Sequence, residues 1–210
     1  MSQPQAVVYI VEDDEAVRSS LALLLSLQGL RTMVFASAEQ FLQTFRAELP
    51  GCLVLDLRMH GMSGLDLLAE LQRRGASLPV IVITAHGDVA NTRASFKFGA
   101  VDFFEKPVDQ DALVAAIRAA LDRDAEQRRV EEEEAVLTRR LELLSGRERE
   151  VLDLVATGLH NREIAAQLDI SPRTVEVYKA RLMDKLGVRR LPDLIRLALR
   201  RGSKAATRGA

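Results

Sequence analysis

"CLVLDLRMHGMSG", residues 52–64, decides how the front of this chain folds. Leu53, Val54 and Leu55 form an unbroken apolar run, the pattern of a strand buried on both faces. The run ends in Asp56, and a glycine-bearing turn follows. A carboxylate at the end of a buried strand is costly unless a cation or hydrogen-bond donors meet it. The rest of the sequence has to supply that partner.

Similar runs recur on both sides: "AVVYIV" (6–11), "LRTMVF" (30–35), "PVIVIT" (79–84) and "VDFF" (101–104). Helical patterns separate them. Val17, Leu21, Leu24 and Leu25 are stopped by Gly29, and Ser37 with Gln40 reads as a capping box before a helix through Phe41 and Phe45. Ser63 starts a helix carrying Leu65, Leu68 and Leu71. A less regular helix covers Val89 to Phe98, and Leu113, Ile117 and Leu121 mark a fifth. Five strand–helix repeats with wholly apolar strands predict an α/β doubly wound five-stranded parallel sheet, whose functional groups gather at the carboxyl ends of the strands.

Those ends carry Glu12, Asp13 and Asp14 after the first strand, Asp56 after the third, Thr84 at the fourth and Lys106 after the fifth. Side-by-side carboxylates repel unless a hard cation joins them, and all-oxygen ligation suits Mg²⁺. Lys106 adds a fixed positive charge and Thr84 a hydroxyl. A carboxylate so placed can act as a nucleophile toward phosphorus and form an aspartyl phosphate. Lys106, Thr84 and the metal would then stabilise the phosphoryl oxygens.

The 210 residues are 48% hydrophobic and 28% charged, ordinary for a globular chain. No apolar run reaches the length of a membrane span and no signal peptide opens the chain, so the expectation is a cytoplasmic protein without a membrane partner. Cys52 is the single cysteine and reads as a small core residue. The net charge of −1 divides unevenly: −4 over residues 1–121, −3 over 122–144 and +6 over 145–210. The expected divisions are a first domain at 1–121, a helical linker at 122–144 and a basic second domain at 145–210, attracted to a polyanion. The linker, free of Pro and Gly, reads either as a solvated helix or as a short two-stranded coiled coil along Val130, Leu137, Leu141 and Leu144.

"VEDDEAVR", "LVLDLRMHGMSG", "IVITAHGD" and "FFEKP", in that order and spacing, resemble the receiver domain of two-component response regulators, a flavodoxin-like fold. The resemblance implies that Asp56 accepts phosphate from a sensor histidine kinase. It implies that Asp13, Asp56 and the backbone carbonyl of Arg58 hold Mg²⁺, with Glu12 acting on it through water, and that Thr84 and Lys106 contact the phosphoryl group. It makes Phe103 the aromatic switch residue and the Lys106–Pro107 bond cis. Two positions depart from the family pattern: Glu12 stands where Asp is commoner, and His60 where the pattern has Pro.

The last 66 residues read as a four-helix, all-α domain. Ser145 and Glu148 form a capping box, Asn161 caps a second helix, Ser171 with Pro172 opens a third that ends at Gly187, and Pro192 opens a fourth. "LSGREREVLDLVATGLHNREIAAQLDISPRTVEVYKARLMDKLGV" resembles the LuxR-type helix-turn-helix, and "SPRTVEVY" the FixJ-like branch of the NarL/FixJ regulators. On the third helix, Val175, Tyr178, Leu182 and Leu186 form the inward stripe. The resemblance places Glu176, Val177 and Ala180 in the major groove of double-stranded DNA, with Arg173, Thr174, Lys179, Arg181 and Lys185 as further contacts. The basic tail from Arg200 to Arg208 reads as disordered, adding nonspecific attraction at most.

What these resemblances imply is a regulator, not an enzyme, that dimerises when phosphorylated and binds DNA to activate transcription, with RNA polymerase as a further partner. A phosphatase of the haloacid dehalogenase type would also use Asp, Mg²⁺, Lys and Thr, but it needs its nucleophile in D-x-D after the first strand, where this chain has "VEDDE".

Overall fold

The computed structural model describes residues 5–46, 48–85 and 89–207, with residues 200–207 as backbone alone. His86 to Asp88 of "IVITAHGD", and Arg208 of the basic tail, lie outside that description. Two compact units divide between Val130 and Glu131.

The first unit alternates β1 (Val7–Val11), α1 (Glu15–Leu27), β2 (Thr32–Phe35), α2 (Ala38–Thr44), β3 (Gly51–Asp56), α3 (Gly64–Arg73), β4 (Val80–Thr84), α4 (Val89–Lys97), β5 (Ala100–Glu105) and α5 (Gln110–Glu142). All strand pairs are parallel and the order is β2-β1-β3-β4-β5, as the repeats predict. Alternation within the apolar strands feeds two separate cores. Tyr9, Val11, Leu53, Leu55 and Val82 pack with Phe41 of α2 and Leu67, Leu68 and Leu71 of α3. Val8, Ile10, Cys52, Val54, Ile81 and Ile83 pack with Leu25 of α1 and Leu113 and Ile117 of α5. Each fully buried Leu or Ile contributes roughly 2 kcal/mol. Cys52 is a core residue whose thiol burial pushes up to about 12.

Several element ends differ from the sequence expectation, each for a local reason. β2 starts at Thr32 because the Leu30 N–H is used to close α1, donating to the Leu25 carbonyl (3.0 Å) past Gly29 in the left-handed region. Ser37 caps α2, but Gln40 Oε1 accepts from the Ala36 N–H (3.1 Å), so the reciprocal bond of a capping box is not made to Ser37. The same helix ends at Thr44, with Phe45 already extended.

Without a Pro or Gly from 110 to 142, α5 continues unbroken through Glu142, and the expected linker segment has no start of its own. Its residues just past Leu121 are fastened to the amino-terminal edge of the sheet. Asp124, 3% exposed, accepts from the Gly51 N–H (2.9 Å) and from Arg128 Nε (2.8 Å). Arg128 also donates to the carbonyls of Glu48 (3.0 Å) and Leu49 (2.7 Å). This clamp gathers the polar backbone groups where β3 begins.

The second unit contains the end of α5 and α6 (Gly146–Ala156), α7 (Asn161–Leu168), α8 (Pro172–Leu186) and α9 (Leu191–Thr207) around one core. That core includes Leu144, Val151, Leu152, Ile164, Val175, Leu182, Leu186 and Leu194. Ser145 and Glu148 make the expected capping box (2.8 and 3.3 Å). The cap of α7 is His160, not Asn161: Glu163 reaches back to the His160 N–H (2.7 Å), which draws the first turn one residue earlier. Similarly, α9 opens at Leu191 rather than Pro192. It continues as helix to Thr207, where the sequence reads as a disordered tail; Arg, Lys and Ala are good helix formers.

Candidate phosphoacceptor and DNA-binding sites

The parallel sheet brings the loops after β1, β3, β4 and β5 to one edge, and the predicted polar residues meet there. Asp56, 6% exposed, ends β3. Its Oδ1 accepts the Arg58 N–H (3.0 Å) and its Oδ2 accepts Lys106 Nζ (2.6 Å). Glu12, 2% exposed, directs Oε2 at the same ammonium (2.7 Å) and Oε1 at the Asp14 N–H (3.3 Å). Lys106 is carried in by its own N–H, which donates to the Thr84 carbonyl (2.8 Å), beside a cis Lys106–Pro107 bond. Thr84 is fully buried.

Burial, with Asp56 alongside, pushes the Glu12 carboxyl above the usual carboxylate range, against the hydrogen bond from Lys106. Burial would lower the Lys106 ammonium, but its bonds to Asp56 and Glu12 outweigh that and raise it. Asp13 stands apart from this triad. Its Oδ2 accepts both the His60 N–H (3.0 Å) and, at 2.5 Å, His60 Nδ1. Burial acts upward on Asp13, and the two His60 bonds bring it below its ordinary value.

Among the described residues, no group of three His, Cys, Asp or Glu side chains lies close enough together to hold a metal ion. Of the predicted metal set, Glu12 and Asp56 share Lys106, Asp13 is turned to His60, and Arg58 enters through its N–H. The donor chemistry suits a hard cation: Glu12 and Asp56 share one ammonium, and Asp13 on the neighbouring loop adds a third carboxylate.

Sequence reasoning missed the residues that shape the loops. Asp14 caps α1 by accepting from Ala16 N and Val17 N (2.8 and 3.1 Å), and Arg18 Nη1 donates to the carbonyls of Glu12 and Asp13 (2.7 and 3.1 Å). Arg18 lies four residues after the cap, where a long side chain reaches back over the first turn. Gly64, first residue of α3, packs against the acceptor strand: a Cβ there would sit 2.3 Å from the Asp56 carbonyl oxygen and 2.7 Å from Leu57 Cα. Backbone cannot yield as a side chain can. Gly64→Ala is expected to cost about 2 kcal/mol in thermal or urea unfolding. An unchanged midpoint would mean that α3 is free to shift.

Phe103 and Phe104 face opposite cores: Phe103 packs half-buried with the cluster of Leu55 and Val82, Phe104 with that of Ile83 and Leu113.

In the second unit, α7 closes on Asp169 in the left-handed conformation, and Ser171 Oγ accepts the Thr174 N–H (3.0 Å) to begin α8. Val175, Leu182 and Leu186 are buried and Tyr178 half-buried, the expected inward stripe. Arg173, Glu176, Val177, Ala180 and Arg181 are exposed along α8, and Thr174 is half-buried with its hydroxyl 2.8 Å from Ser171 Oγ. Two predicted DNA contacts are otherwise engaged. Lys179 Nζ donates to Asn161 Oδ1 (2.6 Å), and burial lowers its ammonium against the pull of Glu176. Lys185 Nζ bonds the buried Glu148 (2.8 Å) and the Leu143 carbonyl (3.3 Å).

Comparison with known proteins agrees with both halves. The response regulator receiver domain family matches residues 8–118, and the bacterial regulatory proteins of the luxR family match 142–198. The transcriptional regulatory protein FixJ of Azorhizobium caulinodans is 49% identical over 93% of this chain and 92% of its own length. Nodulation protein W of Bradyrhizobium diazoefficiens is 43% identical over 92% of this chain and 86% of its own. Among solved structures, response regulator StyR superposes with a TM-score of 0.85 at 41% identity, covering 91% of this chain and 97% of that one. Full-length FixJ from B. japonicum gives 0.58 at 38% identity, covering 96% and 99%. With an acidic strand-end pocket at one end and a helix-turn-helix at the other, the chain belongs to the NarL/FixJ family of two-component transcriptional response regulators.

Proposed function

We propose that Asp56 is the phosphoacceptor of this regulator. The observation that carries the reading is the buried Asp56 carboxylate at the end of β3, held 2.6 Å from Lys106 Nζ beside Glu12. A receiver domain implies a histidine kinase as partner, and a LuxR-type domain implies DNA. An Asp56 oxygen attacks the phosphorus of the kinase phosphohistidine, the P–N bond breaks, and the imidazole nitrogen keeps the electron pair. Lys106 moves its bond from the carboxylate to the phosphoryl oxygens, and the Thr84 hydroxyl donates to them. Receiver domains bind Mg²⁺ for phosphorylation; here Glu12, Asp13, Asp56 and the Arg58 carbonyl would hold it, supplying charge neutralisation at the phosphoryl oxygens.

Once Thr84 turns to the phosphoryl group, Phe103 is drawn from its half-buried position and the surface around β5 changes. That change favours a homodimer, which sets two helix-turn-helix domains on a two-fold DNA site. The receiver function resides in residues 1–121 and the DNA-binding function in 145–210, with 122–144 as connector. Arg173, Thr174, Glu176, Val177, Ala180 and Arg181 meet DNA directly; Lys179 and Lys185 do so by exchanging their present partners for phosphate. The output is activation of transcription with RNA polymerase, not turnover of a substrate, and a partner of DNA places the protein in the cytoplasm.

Solution molecular mass with Mg²⁺, before and after a beryllofluoride phosphoryl mimic, tests this. Wild type is expected to pass from monomer to dimer and Asp56→Asn to stay monomeric. Equal behaviour of the two proteins would remove Asp56 from its role.

A further inference from the structure

In the second unit, the carboxyl end of α8 is tied to the last turn of α5. The N–H groups of Val188 and Gly187 close α8 on the carbonyls of Met183 (2.9 Å) and Asp184 (3.1 Å). A helix leaves its last carbonyls without intrahelical donors, and Arg140 Nη1 donates to that of Leu186 at 2.8 Å. The guanidinium also fills the space over Gly187, which ends α8 at φ +70°: a Cβ there would lie 2.2 Å from Nη1 and 3.0 Å from Cζ of Arg140. The helix dipole favours a cation at this end as well. Beside it, Lys185 Nζ bonds the Leu143 carbonyl (3.3 Å) and the buried Glu148 (2.8 Å). Leu141 and Leu144 seat the same stretch of chain on the core that holds Leu182 and Leu186. Arg140 lies two residues before the luxR match at 142–198.

Resting on the reading of α8 as the helix that meets DNA, we infer that Arg140 is a specificity-determining positioning residue, which sets the angle of α8 from its far end. Glu176 lies ten residues before Leu186, roughly 15 Å along the helix. A tilt of about 4° at Leu186 therefore moves Glu176 by about 1 Å, enough to spoil a hydrogen bond to a base edge. Phosphate contacts tolerate such a shift, because long side chains reach a diffuse charge; base-edge contacts do not. When Lys185 is drawn to a phosphate, it gives up Leu143 and Glu148. Arg140 bonds the helix backbone itself, so its hold on Leu186 survives that exchange.

The test compares wild type, Arg140→Ala, Arg140→Lys and Glu176→Ala as full-length proteins. Each is titrated, over a range of salt concentrations, with a duplex that wild type enriches from a random-sequence pool and with random-sequence duplex of the same length. In Arg140→Ala the ratio of the two affinities is expected to fall roughly ten-fold, the size of one lost base contact. The slope of log affinity against log salt is expected to stay that of wild type, since no phosphate contact is removed. Arg140→Lys, which keeps a donor, is expected to regain part of the ratio. An unchanged ratio in Arg140→Ala would overturn the inference, and that includes an equal loss on both duplexes, the mark of a partly unfolded domain. So would a slope smaller by about 0.9, which would make Arg140 a phosphate contact. Glu176→Ala separates this inference from the reading beneath it. A changed ratio there leaves α8 as the DNA-facing helix when Arg140→Ala has no effect, and an unchanged ratio in both variants sinks both.

Discussion

Lys106→Met is expected to lose about 3 kcal/mol of folding stability at pH 7.5 and to regain much of it near pH 5. The methionine fills similar space but leaves Glu12 and Asp56, both almost wholly buried, without the ammonium that bridges them. Like charges then face each other in low dielectric, and the cheapest relief is a proton on Glu12. Already in the wild type the Glu12 carboxyl is raised, by burial first and by Asp56 next. A folded value above the unfolded one means that the stabilising form is the protonated one. That contribution is fully present below the ordinary glutamate range and is lost as pH rises through the folded value. Removing Lys106 deletes its hydrogen bond and its charge, two of the three influences that hold Glu12 down, and leaves the Asp14 N–H, so the window of loss moves upward. Lys106 is itself raised, so its contribution persists below the ordinary lysine range and disappears only in strong alkali. Urea titrations of both proteins across pH 5 to 8 read the effect. A pH dependence in Lys106→Met parallel to that of wild type would show that the two carboxylates are not coupled.

Asp124→Ala is expected to lower the melting temperature by about 10 °C, from a loss of about 3 kcal/mol in the first unit. The alanine leaves the buried Gly51 N–H without its acceptor and takes the carboxylate from Arg128. Gly51 lies close against β1, with φ at +154° and room for no side chain: a Cβ there would lie 2.0 Å from the Val7 carbonyl oxygen. Asp124→Asn keeps one acceptor and is expected to fall between. A double-mutant cycle with Arg128→Ala should return a coupling of about 1 kcal/mol or more. A coupling near zero would reduce the pair to two independent side chains.

The difference between these two sites explains what the sequence could disclose. Asp56, Glu12, Thr84 and Lys106 stand where strands end, and strands announce themselves through apolar runs; once the runs are aligned in parallel, the polar residues that follow must share an edge. Asp124 and Arg128 offered no such signal. Spaced four apart on a charged helix, they read as one more solvated pair, and their burial depends on Gly51, more than seventy residues away in the chain. The link between Asp13 and His60 is equally invisible, since it follows from the path of an irregular loop. On α8, periodicity identified the inward stripe at Val175, Leu182 and Leu186, but it speaks of Cα directions alone. Lys179 and Lys185 have stems long enough to bend toward Asn161 and Glu148, so their heads lie where the helical wheel does not put them. The element ends were displaced by single backbone bonds, such as that from Leu30 to Leu25, which no pattern of apolar residues records.

The Asp124–Arg128 clamp also bears on how such chains can be recombined. A receiver cut at Leu121, where its heptad-like apolar stripe ends, would leave behind the carboxylate and guanidinium that close the opening of β3. Gene fusions that graft a new output module onto this receiver half, whether made in the laboratory or in evolution, keep an intact sheet edge only when the crossover falls beyond Arg128, and the compact first unit runs to Val130. The exchangeable joint of the protein is therefore nine residues further along α5 than the hydrophobic pattern alone would place it.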